Sequence, residues 1–211
     1  MSAPVVIDVV SDVVCPWCYI GKRRLERALE LRPDVPVEVR YRPFFLNPWV
    51  PREGIDRADY LTTKFGSPER YLANAPRIAA LAAEEGLTYA FERITRQPNT
   101  IDAHRLILWA PDSAKMNHHL MRLYFSEGAD LTDRKVLVDA AVANGLDRET
   151  VERDLASDRD VELVTKEAAR ASEVGINGVP FFILNSRIGI SGAQSPEFLA
   201  QAIDKAREEA A

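Results

Sequence analysis

The hydrophobic pattern changes period several times along the chain. Val5-Val6-Ile7-Asp8-Val9-Val10 is a short β-branched run that predicts a buried strand, with Ser11 to Val14 as the turn that follows. From Trp17 to Glu30 the period becomes helical. Ile20, Leu25, Ala28 and Leu29 share one face, while Lys22, Arg23, Arg24, Glu26, Arg27 and Glu30 supply a solvated one. Pro36 to Tyr41 then alternates apolar and charged residues, the mark of a strand with one face toward a core, and parallel pairing with the first run completes a βαβ unit. Pro43-Phe44-Phe45-Leu46-Asn47-Pro48-Trp49 breaks the alternation, so the chain turns over the top of the sheet and a boundary is expected there.

The next hundred or so residues are almost wholly helical in pattern. Ser67-Pro68-Glu69 gives an N-cap, a first-turn proline and an early acid; Gly86 ends the run, and Pro76 must kink or split it. Asn99 or Thr100 can cap a helix holding Leu106, Ile107 and Trp109, and another holds Leu120, Leu123, Tyr124 and Phe125. Asp133 and Asp147 open two more, with Gly145 between them. After a helix that ends near Gly175, the strand pattern returns in Gly178 to Leu184. Asn185-Ser186 makes a hairpin turn into Arg187 to Ser191, and Ser195-Pro196-Glu197 caps a closing helix. The order βαβ, helices, αββα predicts an α/β protein with a large all-helical insertion: residues 1–48 and 160–211 form one discontinuous domain and 49–159 the insertion.

Composition excludes some function classes. The 211 residues are 46% hydrophobic, enough for a core, and 27 basic against 32 acidic side chains give a net charge of −5 with no long block of either sign. Neither a nucleic acid nor a membrane surface is selected by such a charge distribution. Met1-Ser2-Ala3-Pro4 runs straight into the first strand without a signal-like segment, and no apolar stretch is long enough to span a bilayer, so a cytoplasmic protein is expected.

The chain has two cysteines, and both lie in Cys15-Pro16-Trp17-Cys18, between the first strand and the first helix. A thiolate at a helix N-terminus is stabilised by unpaired N–H groups and the helix dipole, so a lowered pKa is expected for Cys15. Cys18, three residues on, shares its face at roughly 5–6 Å, the spacing of helical neighbours that also suits a disulfide. Pro16 is tolerated in the first turn. Duller readings compete: half of a zinc site, although only His104, His118 and His119 could complete it; a structural disulfide, although its loop is very small; or two buried core thiols. The redox reading is preferred because the pair stands on a strand-to-helix junction, and in a reducing compartment such a pair is catalytic or sensing. No metal is expected.

Cys15-Pro16-Trp17-Cys18 together with Val179-Pro180 resembles the DsbA family of thiol-disulfide oxidoreductases. Cys15 to Lys22, Phe44 to Pro48, Ala103-His104-Arg105-Leu106, Gly178 to Phe182 and Ser191 to Gln194 are similar to its FrnE-like branch. The resemblance implies a thioredoxin fold carrying the helical insertion, a cis Val179-Pro180 peptide beside the cysteines, and exchange with protein or peptide thiols and disulfides. It implies that Pro16 and Trp17 tune the thiolate, and that the absence of a histidine between the cysteines argues against a very oxidising potential. It offers Asp8 as a buried carboxylate relaying the proton of Cys18, against a plain structural acid, and leaves Asp12 as a turn residue. His104 is either a satisfied helix-start histidine or part of a substrate groove. Trp49 and Trp109 read as core. Related kappa-class glutathione transferases and 2-hydroxychromene-2-carboxylate isomerases share the architecture but usually hold serine at the Cys15 position. Asn47, Val179 and Gln194 match positions where those relatives hold glutathione, so glutathione is an expected reductant or co-substrate, with no other cofactor. The alternatives are such a transferase or isomerase, and a redox-switched sensor or holdase.

Overall fold

The computed structural model describes residues 3–209. Strand β1 (Val5–Ser11) lies in the interior of a four-stranded sheet, flanked by β2 (Val37–Pro43) in parallel and β5 (Phe181–Leu184) antiparallel, with β6 (Ile188–Ser191) at the edge beyond β5. The parallel connection runs through helix α1 (Pro16–Glu30), as the βαβ reading requires. The β5–β6 hairpin turns on Asn185 and Ser186, both at positive φ (49° and 56°), the conformation of a two-residue primed turn. Asn185 fits there because its side chain also accepts from the N–H of Val6 and donates to the carbonyl of Ala206.

One face of the sheet packs on α1 and the closing helix α10 (Pro196–Glu208): Val5, Ile7 and Val9 alternate inward against Leu25, Ala28, Phe182, Leu199 and Ile203. Between β2 and β5 the chain is mainly helical. A minor pair, β3 (Ile55–Asp56) with β4 (Arg96–Gln97), sits among α2 (Arg57–Phe65), α3 (Pro68–Leu72) and α4 (Ala75–Glu84). The run broken by Pro76 is indeed split, and the proline stands in the first turn of α4, where its missing N–H costs nothing. There follow α5 (Ile101–Trp109), α6 (Ser113–Arg122) continuing into a π turn at Leu123–Glu127, α7 (Arg134–Ala143), α8 (Arg148–Leu155) and α9 (Val161–Glu173). The caps are those the sequence signals: Ser67, Asp133, Asp147 and Ser195 each accept a backbone N–H from the first turn they open.

Two burial expectations are corrected. Lys22 is 4% exposed and paired with Glu26, because α6 covers that side of α1 with His118 and Asp112 lining the same cleft. Trp49 is 45% exposed, stacked on Tyr60 at 5.8 Å rather than enclosed. Arg105, wholly buried, is held by the carbonyls of Asp154, Ser157 and Arg159 and by Asp102, and so pins the α8–α9 connection to α5.

Candidate active site

The end of β1 delivers the cysteines to the seam between sheet and insertion. Cys15, Cys18, Tyr19 and Ile20 pack in one apolar cluster with Leu106, Met116, Leu120 and Phe125 of the helical segment. A turn closed by the Cys15 N–H on the Asp12 carbonyl (3.1 Å) leaves Cys15 as the N-cap of α1, and Pro16 follows at the first helical position. Cys15 and Cys18 are free thiols 3.4 Å apart. Cys18 is fully enclosed, and burial, helped by its contact with Cys15, pushes its thiol well above the ordinary value. Trp17, 38% exposed, carries the surface of the motif, and the Tyr89 hydroxyl donates to the Pro16 carbonyl at 2.6 Å.

Val179-Pro180 is a cis peptide. It faces the cysteines: the Cys15 sulfhydryl donates to the Val179 carbonyl at 3.6 Å across 164 residues of sequence. Gly192 donates to the Pro180 carbonyl at 2.9 Å, and Arg24 of α1 donates to the Ala193 carbonyl at 2.7 Å, so the loop after β6 is fastened to both proline and helix. Gln194, exposed, donates to the Ser191 carbonyl at 2.8 Å and closes that loop.

Asn47 is buried and accepts from the Tyr60 hydroxyl and from Lys64, leaving its own Nδ2 without a partner. Sequence reasoning missed Lys64. Its ammonium lies over the Tyr60 and Phe65 rings at 5.6 and 5.9 Å; burial pulls its pKa down while the charges of Cys15 and Asp12 resist. A partly desolvated cation therefore stands within electrostatic range of Cys15. No local signal in α2 marks it out, since a lysine in the last turn of a helix is ordinary.

Asp8 pairs with Arg42 at 2.7 Å and shares a surface cleft with Glu167 and Arg170 of α9. The buried carboxylate beside the motif is Asp12, 1% exposed. Its Oδ2 accepts the Leu46 N–H at 2.8 Å, and its Oδ1 lies 3.4 Å from Nε2 of the buried His104, which packs on Phe45.

A family model described as DSBA-like thioredoxin domain matches residues 6–204. The chain belongs to this family. The DsbA-like proteins are thiol-disulfide oxidoreductases acting on protein thiols and disulfides, and their thioredoxin fold with a helical insertion is the one described above. The chain is 34% identical to a probable DsbA oxidoreductase from Streptomyces coelicolor, covering 97% of this chain and 91% of that one with a TM-score of 0.87. It is 27% identical to the uncharacterized protein YwbO of Bacillus subtilis over 93% of this chain and 94% of that protein. The fold is shared with the cytosolic disulfide reductase DsbM of Pseudomonas aeruginosa, solved with GSH (21% identity, TM-score 0.64, 97% and 96% coverage). A 2-hydroxychromene-2-carboxylate isomerase shares it too (15%, TM-score 0.69, 97% and 98%). Among the described residues no helix is long and apolar enough to cross a membrane.

Proposed function

We propose that this DsbA-like protein is a cytoplasmic protein dithiol-disulfide oxidoreductase and isomerase whose Cys15 attacks and whose Cys18 resolves. The observation that carries the reading is the pair of thiols 3.4 Å apart at a helix N-terminus with the Val179 carbonyl beside Cys15. The Cys15 thiolate attacks one sulfur of a substrate disulfide, and the other sulfur leaves as a thiolate and is protonated by solvent. Cys18 then loses its proton and displaces the substrate from Cys15, so the substrate is reduced to a dithiol and the enzyme holds the Cys15–Cys18 disulfide. The reverse sequence donates a disulfide, and release before Cys18 acts gives isomerisation.

The edge formed by Val179 suits a peptide substrate lying alongside in extended form. Electrons pass between sulfurs, so no resident cofactor is invoked. Glutathione is the proposed reductant of the oxidised enzyme: the Lys64 ammonium, held by Asn47, lies within electrostatic range of Cys15 and offers a cation to an acidic thiol. A reducing compartment agrees with a chain whose two cysteines are both at the site, leaving none for a structural crosslink. The likeness to a cytosolic reductase supports the same setting.

The test is reduction of insulin and refolding of scrambled ribonuclease by the wild type, Cys15→Ala and Cys18→Ala. Cys15→Ala is expected to abolish both, and Cys18→Ala to accumulate mixed disulfides visible on a non-reducing gel. Loss of neither activity in Cys15→Ala overturns the reading. Conjugation of glutathione to an electrophile with no trapped species points instead to a transferase, and switching of client binding without turnover to a sensor.

A further inference from the structure

A cavity of about 240 Å³ opens between β2, α5, α6 and α9, and neither cysteine lines it. Its flanks are apolar: Ile107 of α5 and Val164 of α9 are buried inside, and the half-exposed Leu108 and Leu163 stand at the mouth. Its inner wall is polar, formed by Ser11 at the end of β1, His104 and Asn117, all 1–5% exposed. Ser11 Oγ and Asn117 Nδ2 are enclosed and have no hydrogen-bond partner among the described residues. His104 Nε2 has none either, and the Asp12 carboxylate stands behind it with Oδ1 at 3.4 Å.

Buried polar groups are nearly always satisfied, so these atoms call for a partner within the cavity. The space equals that of about eight liquid waters. Water alone would satisfy the polar wall but leave the aliphatic flanks wet, whereas a molecule with an apolar ring and one polar head serves both. The head must include an acceptor, because Asn117 Nδ2 only donates, while the Ser11 hydroxyl can donate or accept. Charge of either sign is disfavoured. Arg42 on the wall is engaged by Asp8 at 2.7 Å and by Glu167 at 4.0 Å, and Glu167 also accepts from Arg170 at 2.6 Å. The Tyr41 phenol, driven far up by burial, stays neutral. An anion would therefore meet Glu167 and the carboxylate behind His104, and a cation would meet Arg42.

We propose that this cavity is a binding site for a small, uncharged aromatic amide. The ring lies against Ile107, Leu108, Leu163 and Val164, the amide carbonyl accepts from Asn117, and the amide N–H donates to the Ser11 hydroxyl oxygen. A carboxamide supplies the acceptor and the donor in one neutral group, which a carboxylate or an ammonium does not. The simplest such molecule, benzamide, has about nine non-hydrogen atoms, a size for which a dissociation constant of about 1 mM is expected. The site is independent of thiol exchange, since its wall contains neither thiol.

The experiment is titration of the isotope-labelled full chain with benzamide, benzoate, benzylammonium and toluene, followed by amide chemical shifts. Benzamide should saturate with a dissociation constant of about 1 mM and move the backbone signals of Ser11, Leu108, Asn117 and Leu163 together with the Asn117 side-chain amide. Toluene should bind roughly tenfold more weakly, and the two charged analogues more weakly still. Asn117→Leu should weaken benzamide roughly tenfold and leave toluene within about twofold. Leu163→Ala, at the half-exposed mouth, should weaken benzamide and toluene alike by roughly threefold, with insulin reduction equal to that of the wild type. Absence of saturation below about 10 mM means that water alone fills the cavity and overturns the site. So does a shift pattern centred on another surface, or benzamide binding unchanged in both variants. Cys15→Ala should bind benzamide like the wild type, so failure of the exchange reading and failure of this site are read separately.

Discussion

Gly21 and Pro180 meet with no room between them: a Cβ on the glycine would stand 2.7 Å from the proline Cγ and 3.4 Å from the Phe182 ring. Helix α1 thus approaches the cis-proline segment closely enough for Cys15 to reach the Val179 carbonyl. On an open helix, glycine to alanine would be worth about 1 kcal/mol in favour of folding. Here overpacking reverses the sign. Gly21→Ala is expected to lose about 1–2 kcal/mol in denaturant unfolding and to slow insulin reduction, with Gly21→Val worse on both measures.

Lys64 places a cation within electrostatic range of Cys15. Removing a partly desolvated positive charge from this neighbourhood should make the Cys15 sulfur less reactive. Lys64→Met should therefore slow iodoacetamide labelling of Cys15 at neutral pH by roughly three- to tenfold. Lys64→Arg should retain most of the wild-type rate, and added salt should narrow the difference only slightly, because the pair is half-buried.

Cys18 should be slow to react as a thiol. Its pKa is raised by burial and by Cys15, so its thiolate fraction at neutral pH is very small and grows about tenfold for each unit of pH. Mass spectrometry after brief alkylation at neutral pH is expected to find one adduct, on Cys15. Labelling of Cys18 should require strongly alkaline solution or unfolding of the chain.

Glu85 ties the insertion to α1. Its carboxylate, 5% exposed at the end of α4, receives Arg24 and Arg27 at 2.7 Å each. Burial pushes its pKa up, but the two guanidiniums outweigh burial and hold it below the usual carboxylate range. A carboxylate lowered in the folded state adds stability above its unfolded pKa, near 4.3, and loses it as pH falls through the folded value. Glu85→Gln should destabilise the protein at pH 7, with the gap to wild type closing as pH falls through the lowered carboxylate range. Because Arg24 also holds the Ala193 carbonyl, the variant should loosen the loop beside Pro180 as well.

Local chemistry made much of this protein legible from its residues alone. The β-branched run before Cys15, the helical period after it, the caps at Ser67, Asp133, Asp147 and Ser195, and the turn at Asn185-Ser186 each depend on neighbours within a few positions. The Cys-x-x-Cys pair belongs to the same class, since three residues on a helix fix the approach of the two sulfurs.

Tertiary packing decided the rest. A sequence period says which face of α1 is apolar but not that α6 will cover Lys22, nor that Trp49 will stack outward on Tyr60. Asp12 and His104 are separated by most of a hundred residues, and a turn signal cannot tell an exposed aspartate from one enclosed against an imidazole. Lys64 likewise comes within electrostatic range of Cys15 only through tertiary packing. The spacing of hydrophobic residues encodes each segment's shape; burial and electrostatic partnership arise only when segments distant in sequence exclude water from between them.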